Sequence, residues 1–208
     1  MNIIEAMNWR YAVRAFAPQR IDEHKIEQLL NATRLSATSY GLQPYRIIVV
    51  DDIDVRRELL PFSYGQDKVV DCSHLVVFAA KINIDDDMID RYINSVADTR
   101  NMVLEELSGL ADHMKSVFNT MSATQKKAWA HQQVHIALGT LLTAAATLHI
   151  DSCPMGGIEP DGYDNVLQLN ERGLETSVIC ALGVRHPDDS NARLPKVRYQ
   201  TSEMIITV

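Results

Sequence analysis

Apolar positions recur at helical spacing near the start of the chain. Ile26, Leu29 and Leu30 fall on one face of the stretch 22–36, and Asp22 stands just before it. Aspartate is a preferred N-cap because its carboxylate accepts hydrogen bonds from the free N–H groups of the first helical turn. The pattern therefore predicts an amphipathic helix over 22–36.

A second helical pattern is much longer. Ser122 and Gln125 have the spacing of a capping box, which opens a helical stretch that reaches Ile150. Its apolar second half, 134–150, contains two histidines, one glycine and three threonines. It is too short and too polar to span a membrane, so we expect a central buried helix.

Four short runs rich in β-branched residues predict strands. They are Arg46–Val50, His74–Ala80, Thr176–Val184 and Glu203–Val208. Helical and extended stretches do not alternate regularly along the chain, as they would in a doubly wound fold. We therefore predict an α+β fold in which a mixed sheet is flanked by helices, with residues 1–208 forming a single domain.

Composition and charge exclude several classes of protein. The chain has 208 residues, 46% of them hydrophobic, and a net charge of -7. An acidic chain lacks the broad basic surface of a nucleic-acid binder. The first twenty residues lack the apolar run of a signal peptide, so we expect a cytoplasmic protein. Three widely spaced cysteines favour reduced thiols over a disulfide framework.

Two basic clusters stand out against this acidic background. Arg10 and Arg14 lie near the start of the chain, and Lys196 and Arg198 lie near its end. Cations that converge from distant segments suit the several acceptor oxygens of a phosphate. From these residues alone, two surface arginines and a basic turn remain the alternative interpretation.

Two further segments are rich in small residues and turn formers, where backbone groups can approach a ligand. One is Thr38–Pro44, which precedes a predicted strand, and the other is the predicted turn Pro154–Gly157. Taken alone, each is also typical of an ordinary loop or turn.

In order and spacing, these segments resemble the nitroreductase family of flavin mononucleotide (FMN) enzymes, in particular its small, oxygen-insensitive, NAD(P)H-dependent branch. The resemblance covers nearly the whole chain. It rests on the Arg-x-x-x-Arg-x-Phe run ending at Phe16, the loop ending Gln43-Pro44 before Ile47–Val50, the Pro154–Gly157 turn, and Leu194-Pro195-Lys196-x-Arg198.

The resemblance implies a set of FMN-binding residues. They are Arg10, Tyr11, Ala12, Arg14, Thr38, Ser39, Gly41, Gln66, Lys68, Pro154, Met155, Gly156, Gly157, Lys196 and Arg198. In the family, the basic motifs hold the phosphate, and the amides at the two positions after Met155 face N5 and O4 of the flavin. Ala12 and Gly41 depart from the family, where Ser and Asn are common.

The resemblance also implies how the protein works. It implies a homodimer in which the 38–41 loop and the strand at 203–208 reach the partner, and in which donor and acceptor alternate at one flavin by a ping-pong mechanism. The polar helical stretch 85–122 is expected to form a lid, with Tyr40 and Phe118 contacting a nitroaromatic or quinone acceptor. No residue of the protein is assigned as catalytic, because the flavin carries the chemistry.

Three other functions are compatible with the sequence. A flavin reductase, a dedicated dehydrogenase of the same family, or a catalytically silent flavin-binding protein would carry the same basic clusters. A metal site is not expected, because Gln132 stands between His131 and His135 where a zinc protease motif has glutamate. No Gly-x-Gly-x-x-Gly run is present to bind a dinucleotide as in a Rossmann fold.

Overall fold

The structure is a computed structural model that describes residues 2–208. Its strands are β1 (Tyr45–Val50), β2 (His74–Lys81), β3 (Asp151–Met155) and β4 (Leu174–Gly183). Its helices are α1 (Ile3–Trp9), α2 (Glu23–Arg34), α3 (Ile53–Leu59), α4 (Lys68–Asp71), α5 (Asp86–Arg100), α6 (Ser108–Asn119), α7 (Ala123–Thr147), α8 (Pro160–Val166) and α9 (Thr201–Met204).

The four strands form one sheet in the order β1-β2-β4-β3. All three ladders are antiparallel, and a register shift interrupts the β2–β4 ladder between Phe78 and Ala79. The α+β class is confirmed. We expected both strand directions in the sheet, but its four strands are antiparallel. Within residues 2–208, parallel pairing occurs in a single bridge between Ala12 and Ser152, outside the ladders.

Both faces of the sheet are buried, which explains why its central strands are continuous apolar runs. Successive side chains of a strand point to opposite faces. Val76 and Phe78 of β2 therefore pack into the larger core, under α2, α5, α6 and α7. Leu75 and Val77 pack into a second core, with α3 and α8 on the other face.

The predicted helix starts are confirmed. Asp22 accepts a hydrogen bond from the N–H of His24 (2.9 Å) at the start of α2. Ser122 and Gln125 form the expected capping box at the start of α7, since each side chain accepts from the backbone N–H of the other residue (3.3 and 2.8 Å). Sequence spacing was sufficient here because a cap depends only on neighbouring residues.

The predicted strand at 203–208 is wrong within a single chain. Residues 201–204 form the short helix α9, and Ile205 and Ile206 are 63% and 84% exposed. A β-branched run becomes a strand only when another strand edge pairs with it. No ladder formed by residues 2–208 includes this segment.

Two other expectations need correction. Pro154 and Met155 belong to β3, so the turn begins only at Gly156. The 85–122 stretch, polar in sequence and expected to form a lid, also contributes to the larger core, because Ile89, Ile93 and Met114 of α5 and α6 are buried there.

Within residues 2–208, none of the helices is both long enough and apolar enough to cross a membrane.

Gly162 provides a test of packing in the second core. A Cβ atom at this position would lie 2.1 Å from the ring of Phe62. We expect Gly162→Ala to lower the free energy of unfolding by about 1–3 kcal/mol, measured by urea denaturation, because the ring must move out of a packed position.

Gly109 of α6 is the matched control, because an added Cβ there meets nothing within 4 Å. Gly109→Ala should leave stability unchanged or raise it by up to about 1 kcal/mol, since alanine is the better helix former. Equal effects of the two substitutions would contradict the close packing of Gly162 against Phe62.

Candidate anion-binding site

Arg10 of the first basic motif ends α1, and Arg14 lies on the segment that follows, 12–17, which joins two parts of the fold. Val13 N–H donates to the carbonyl of Ser152 in β3 (3.3 Å). Ala17 N–H donates to the carbonyl of Val184, just after β4 (2.8 Å). These bonds fix the backbone beside the sheet. They thereby hold Arg10 and Arg14 where both face the C-terminal segment.

A cleft of roughly 370 Å³ lies where the N-terminal and C-terminal segments meet. It is lined by Asn8, Trp9, Arg10, Tyr11, Ala12, Arg14, Asn191, Ala192, Leu194, Pro195, Lys196 and Arg198. The structure thus brings together both basic clusters predicted from the sequence, although more than 180 residues separate them.

The cations of the cleft are not neutralised by carboxylates of residues 2–208. In the described part of the chain, no acidic side chain forms an ion pair with Arg10, Arg14, Lys196 or Arg198. Burial and the nearby Arg198 lower the pKa of Arg10. Burial and two neighbouring arginines likewise lower the pKa of Lys196. Crowded like charges repel one another, and a bound anion would reduce this repulsion.

Lys196 also holds α1 in place. Its ammonium donates hydrogen bonds to the carbonyls of Met7 and Arg10 at the C-terminal end of that helix. A helix end has free carbonyls and a partial negative charge, which a lysine satisfies. Lys196 therefore fixes the position of Arg10 as well as adding charge to the cleft.

Behind the cleft, a guanidinium packs between two aromatic rings. The Cζ atom of Arg185 lies 4.3 Å from the ring centroid of Trp9 and 4.7 Å from that of Tyr11. Asp151 accepts from the Nε of the same guanidinium (2.8 Å) and from the Arg185 N–H (2.8 Å). Arg185 is thus engaged in packing, and burial raises the pKa of Tyr11 to about 12.

Asp189 is a buried residue that the sequence analysis missed. Its carboxylate accepts hydrogen bonds from the N–H groups of Arg14 (2.7 Å), Ala15 (3.2 Å) and Asn191 (2.9 Å). An Asp shortly before a turn is a recognisable local cap. The two contacts across the fold have no sequence signal.

Beyond β3, the expected Gly156–Gly157 amides are accessible. Both residues are exposed, and a Cβ at either would meet nothing within 4 Å. Among residues 2–208, neither N–H group donates a hydrogen bond. Two adjacent free donors at a strand end can bind a polar ligand edge.

Gln66 and Lys68 approach β3 from the 61–71 segment. The side-chain amide of Gln66 donates to the Gly157 carbonyl (3.3 Å). Burial raises the pKa of the Cys153 thiol, while Lys68 and Arg14 act in the opposite direction. Lys68 and Arg14 therefore approach β3 from different segments of the chain, and Arg14 also lines the cationic cleft.

The 38–41 loop is held at a different place. Ser39 N–H donates to the buried Gln133 side chain on α7 (2.9 Å), and Tyr40 packs edge-on against His113 and Phe118 of α6. None of Thr38, Ser39, Tyr40 or Gly41 lines the cationic cleft of the same chain.

The two residues expected to contact the acceptor differ in accessibility. Tyr40 is 37% exposed and has a positive φ of 57°, whereas Phe118 is only 2% exposed and packs on Trp129 with ring centroids 4.9 Å apart. We expected Phe118 to contact the acceptor, but it is a core residue that packs against Tyr40. The face of α6 that carries Phe118 points into the protein.

The fold is the one found in solved nitroreductases. A protein of Exiguobacterium sibiricum crystallised in complex with FMN matches with a TM-score of 0.84 at 18% identity, covering 100% of this chain and 98% of that one. CLA-ER, an enone reductase of gut-bacterial fatty acid saturation, matches with a TM-score of 0.83 at 17% identity, covering 100% and 98%. At these identities the likeness concerns the fold alone.

The chain belongs to the nitroreductase family. The Nitroreductase family profile matches residues 7–184. The major NAD(P)H-flavin oxidoreductase of Aliivibrio fischeri is 32% identical over 215 aligned positions, covering 99% of this chain and 98% of that protein. The protein is accordingly an oxidoreductase.

Gly41, where the family resemblance led us to expect Asn, has a structural reason to be glycine. Its φ is +77°, and a Cβ would lie 2.7 Å from the Tyr92 hydroxyl oxygen. Asn adopts positive φ more readily than most residues, so the contact with Tyr92 should decide the effect. We expect Gly41→Asn to cost about 1–2 kcal/mol in the free energy of unfolding, measured by urea denaturation.

Tyr92→Phe is the background that isolates this contact, because it removes the hydroxyl oxygen that Cβ would meet. In that background Gly41→Asn should cost less than half as much. The same cost in both backgrounds would show that backbone strain alone, rather than Tyr92, selects glycine.

Proposed function

We propose that the protein is an FMN-dependent oxidoreductase that transfers hydride from NAD(P)H to nitroaromatic or quinone acceptors. The observation that carries this proposal is the cleft in which four cations converge, none of them paired with a carboxylate of residues 2–208. The N–H groups of Gly156 and Gly157, at the end of β3, make no hydrogen bond within the same residues. The family, the A. fischeri relative and the E. sibiricum protein crystallised with FMN all support it.

The phosphate of FMN fits the cationic cleft. Arg10, Arg14 and Arg198 offer guanidinium groups that can bind phosphate oxygens in pairs, and Lys196 adds a point charge. Ala12 pairs with Ser152 through its backbone and offers no hydroxyl. We infer that phosphate affinity depends on the guanidinium groups.

The flavin ring belongs at the end of β3. When bound, FMN accepts hydride from NAD(P)H and passes it to the acceptor. The N–H groups of Gly156 and Gly157 would donate to the ring edge and stabilise the negative charge that develops there, with Lys68 nearby. Gln66, through its bond to Gly157, would hold the backbone in that orientation.

The site is completed by a second copy of the chain. Thr38, Ser39, Tyr40 and Gly41 lie away from the cleft of their own chain, so we propose that they meet the flavin of the partner. We infer that donor and acceptor would bind at this shared site in turn, which predicts ping-pong kinetics.

In this dimer, two apolar surfaces that are exposed in the single chain would become buried against the partner. Ile136, Gly139, Thr140, Thr143 and Ala144 line a shallow hollow on α7. Ala145, the next residue of α7, is fully buried in the core of its own chain and takes no part in this surface. The exposed 203–208 segment would pair with a partner, since β1 has an open edge.

A flavin reductase is the second candidate, because the A. fischeri relative is named an NAD(P)H-flavin oxidoreductase. An absorbance spectrum of the purified protein tests flavin binding, and NADH and NADPH oxidation assays with menadione, a nitroaromatic or free FMN identify the acceptor. A protein that takes up no FMN from excess would refute the proposal. A flavin-loaded protein without NAD(P)H oxidation would be a silent binding protein.

Arg198→Ala tests the phosphate site. We expect the dissociation constant of FMN to rise about 10- to 100-fold, because a charge-assisted hydrogen bond is lost. Turnover should recover when FMN is saturating, since the guanidinium does no chemistry. Both are measured by fluorescence titration of the apoprotein followed by steady-state kinetics.

Arg193 is the matched control, because it precedes the same segment but does not line the cleft. Arg193→Ala should change FMN affinity by less than about threefold. If the two variants bind FMN equally well, Arg198 is a surface arginine.

Ile136→Asp tests the α7 surface. Ile136 is 46% exposed, and a carboxylate buried in an apolar interface without a partner is costly. We expect a shift from dimer to monomer at micromolar concentration in light scattering, with loss of bound flavin. Ile53→Asp, at a residue 37% exposed on α3, should leave the mass unchanged. A wild-type chain that is monomeric with full flavin would contradict the shared site.

A further inference from the structure

The cationic cleft has to be held together against its own charge. Arg10 and Lys196 each have a pKa lowered partly by neighbouring cations, so the basic groups repel one another before any anion binds. The two segments that carry them lie at opposite ends of the chain. Lys196 joins the two segments through the carbonyls of Met7 and Arg10. Lys196 is itself one of the repelling cations, whereas a second interaction fixes the separation without using a basic group of the cleft.

Asp189 supplies that interaction. Its side chain is buried, with the residue only 3% exposed. One oxygen accepts from the N–H groups of Arg14 and Ala15, and the other accepts from Asn191. Arg14 and Ala15 belong to the N-terminal segment, and Asn191 starts the turn that leads to Lys196. The carboxylate thus joins both halves of the cleft.

The bonding pattern leaves the cations free. Asp189 binds backbone N–H groups and forms no ion pair with Arg10, Arg14, Lys196 or Arg198 in the described part of the chain. Although burial alone would raise the pKa of Asp189, the three N–H donors lower it below its usual range, so the group is charged at neutral pH. A guanidinium paired directly with this carboxylate would be less available to a ligand.

We propose that Asp189 is the positioning residue of the phosphate subsite: it preorganises the two cationic segments in the free protein and thereby sets the affinity for the phosphate of the cofactor. This inference rests on the proposed binding of FMN. It adds a residue that touches neither the cofactor nor the acceptor.

Asp189→Asn is the test, because it keeps the shape but places an amide N–H₂ where only acceptors fit. We expect the dissociation constant of FMN to rise about 10-fold or more. Riboflavin, which lacks the phosphate, should bind within about twofold of its wild-type affinity. Turnover at saturating FMN should stay close to wild type. The measurements are fluorescence titrations of the apoprotein with both flavins.

Asp164→Asn is the matched control. Asp164 is equally buried and accepts from the N–H and hydroxyl of Thr176 (2.7 and 2.6 Å), away from the cleft. This variant should be less stable to heat but should bind FMN within about threefold of wild type. The contrast separates positioning of the phosphate subsite from general stability.

Hydrogen exchange on the wild-type apoprotein gives a test that needs no variant to fold. The amides of Arg14 and Ala15 should exchange at least about tenfold more slowly than those of Gly156 and Gly157, which make no hydrogen bond. Protection that appears only after FMN is added would overturn preorganisation by Asp189.

The remaining outcomes are also decisive. Unchanged FMN affinity in Asp189→Asn, or an equal loss of FMN and riboflavin affinity, would overturn the positioning role while leaving the proposed function intact. A wild-type protein that binds neither flavin would refute the proposed function and this inference with it.

Discussion

The hydrogen bonding of the 12–17 segment is the constraint on which the rest of the site depends. This segment pairs with β3 through Ser152 and with the residues that follow β4 through Val184. Because β3 and β4 are neighbours in the sheet, one extended segment at their ends can direct Arg10 and Arg14 toward the chain that leaves β4. The cleft therefore exists only when the sheet has formed and the N-terminal segment is paired with it.

The same arrangement explains how an acidic chain builds a positive site. The net charge is -7, yet two buried carboxylates that contact the segments beside the cleft are engaged elsewhere. Asp189 binds backbone N–H groups, and Asp151 binds Arg185. Buried carboxylates that are satisfied in this way stabilise the backbone around the cleft without pairing with the cations that line it.

Local rules predicted much of the fold. The caps at Asp22 and Ser122 and the strands around Ile48 and Val77 follow from residue spacing and side-chain shape, so they could be read from short windows. The 203–208 segment could not, because an identical β-branched run is a strand or an exposed tail depending on whether an edge pairs with it. The burial of Phe118 has a related reason: which side of α6 faces inward depends on residues outside that helix, Trp129 on α7 and Tyr40 in the 38–41 loop.

At the site, the four basic residues could be predicted from the sequence, but the carboxylate that fixes their positions could not. Arg10, Arg14, Lys196 and Arg198 were recognisable because their residue types suit phosphate and their motifs resemble a family. Asp189 has no such signal, since two of its three donors are backbone groups about 175 positions away. Preorganisation of this kind costs free energy during folding, when buried carboxylates and crowded cations must be accommodated, and lowers the cost of ordering the site when a ligand binds. The affinity of the cleft for an anion should therefore depend on how firmly the 12–17 segment is fixed as much as on the number of cations. A buried side chain that accepts from backbone N–H groups, as Asp189 does, provides that control.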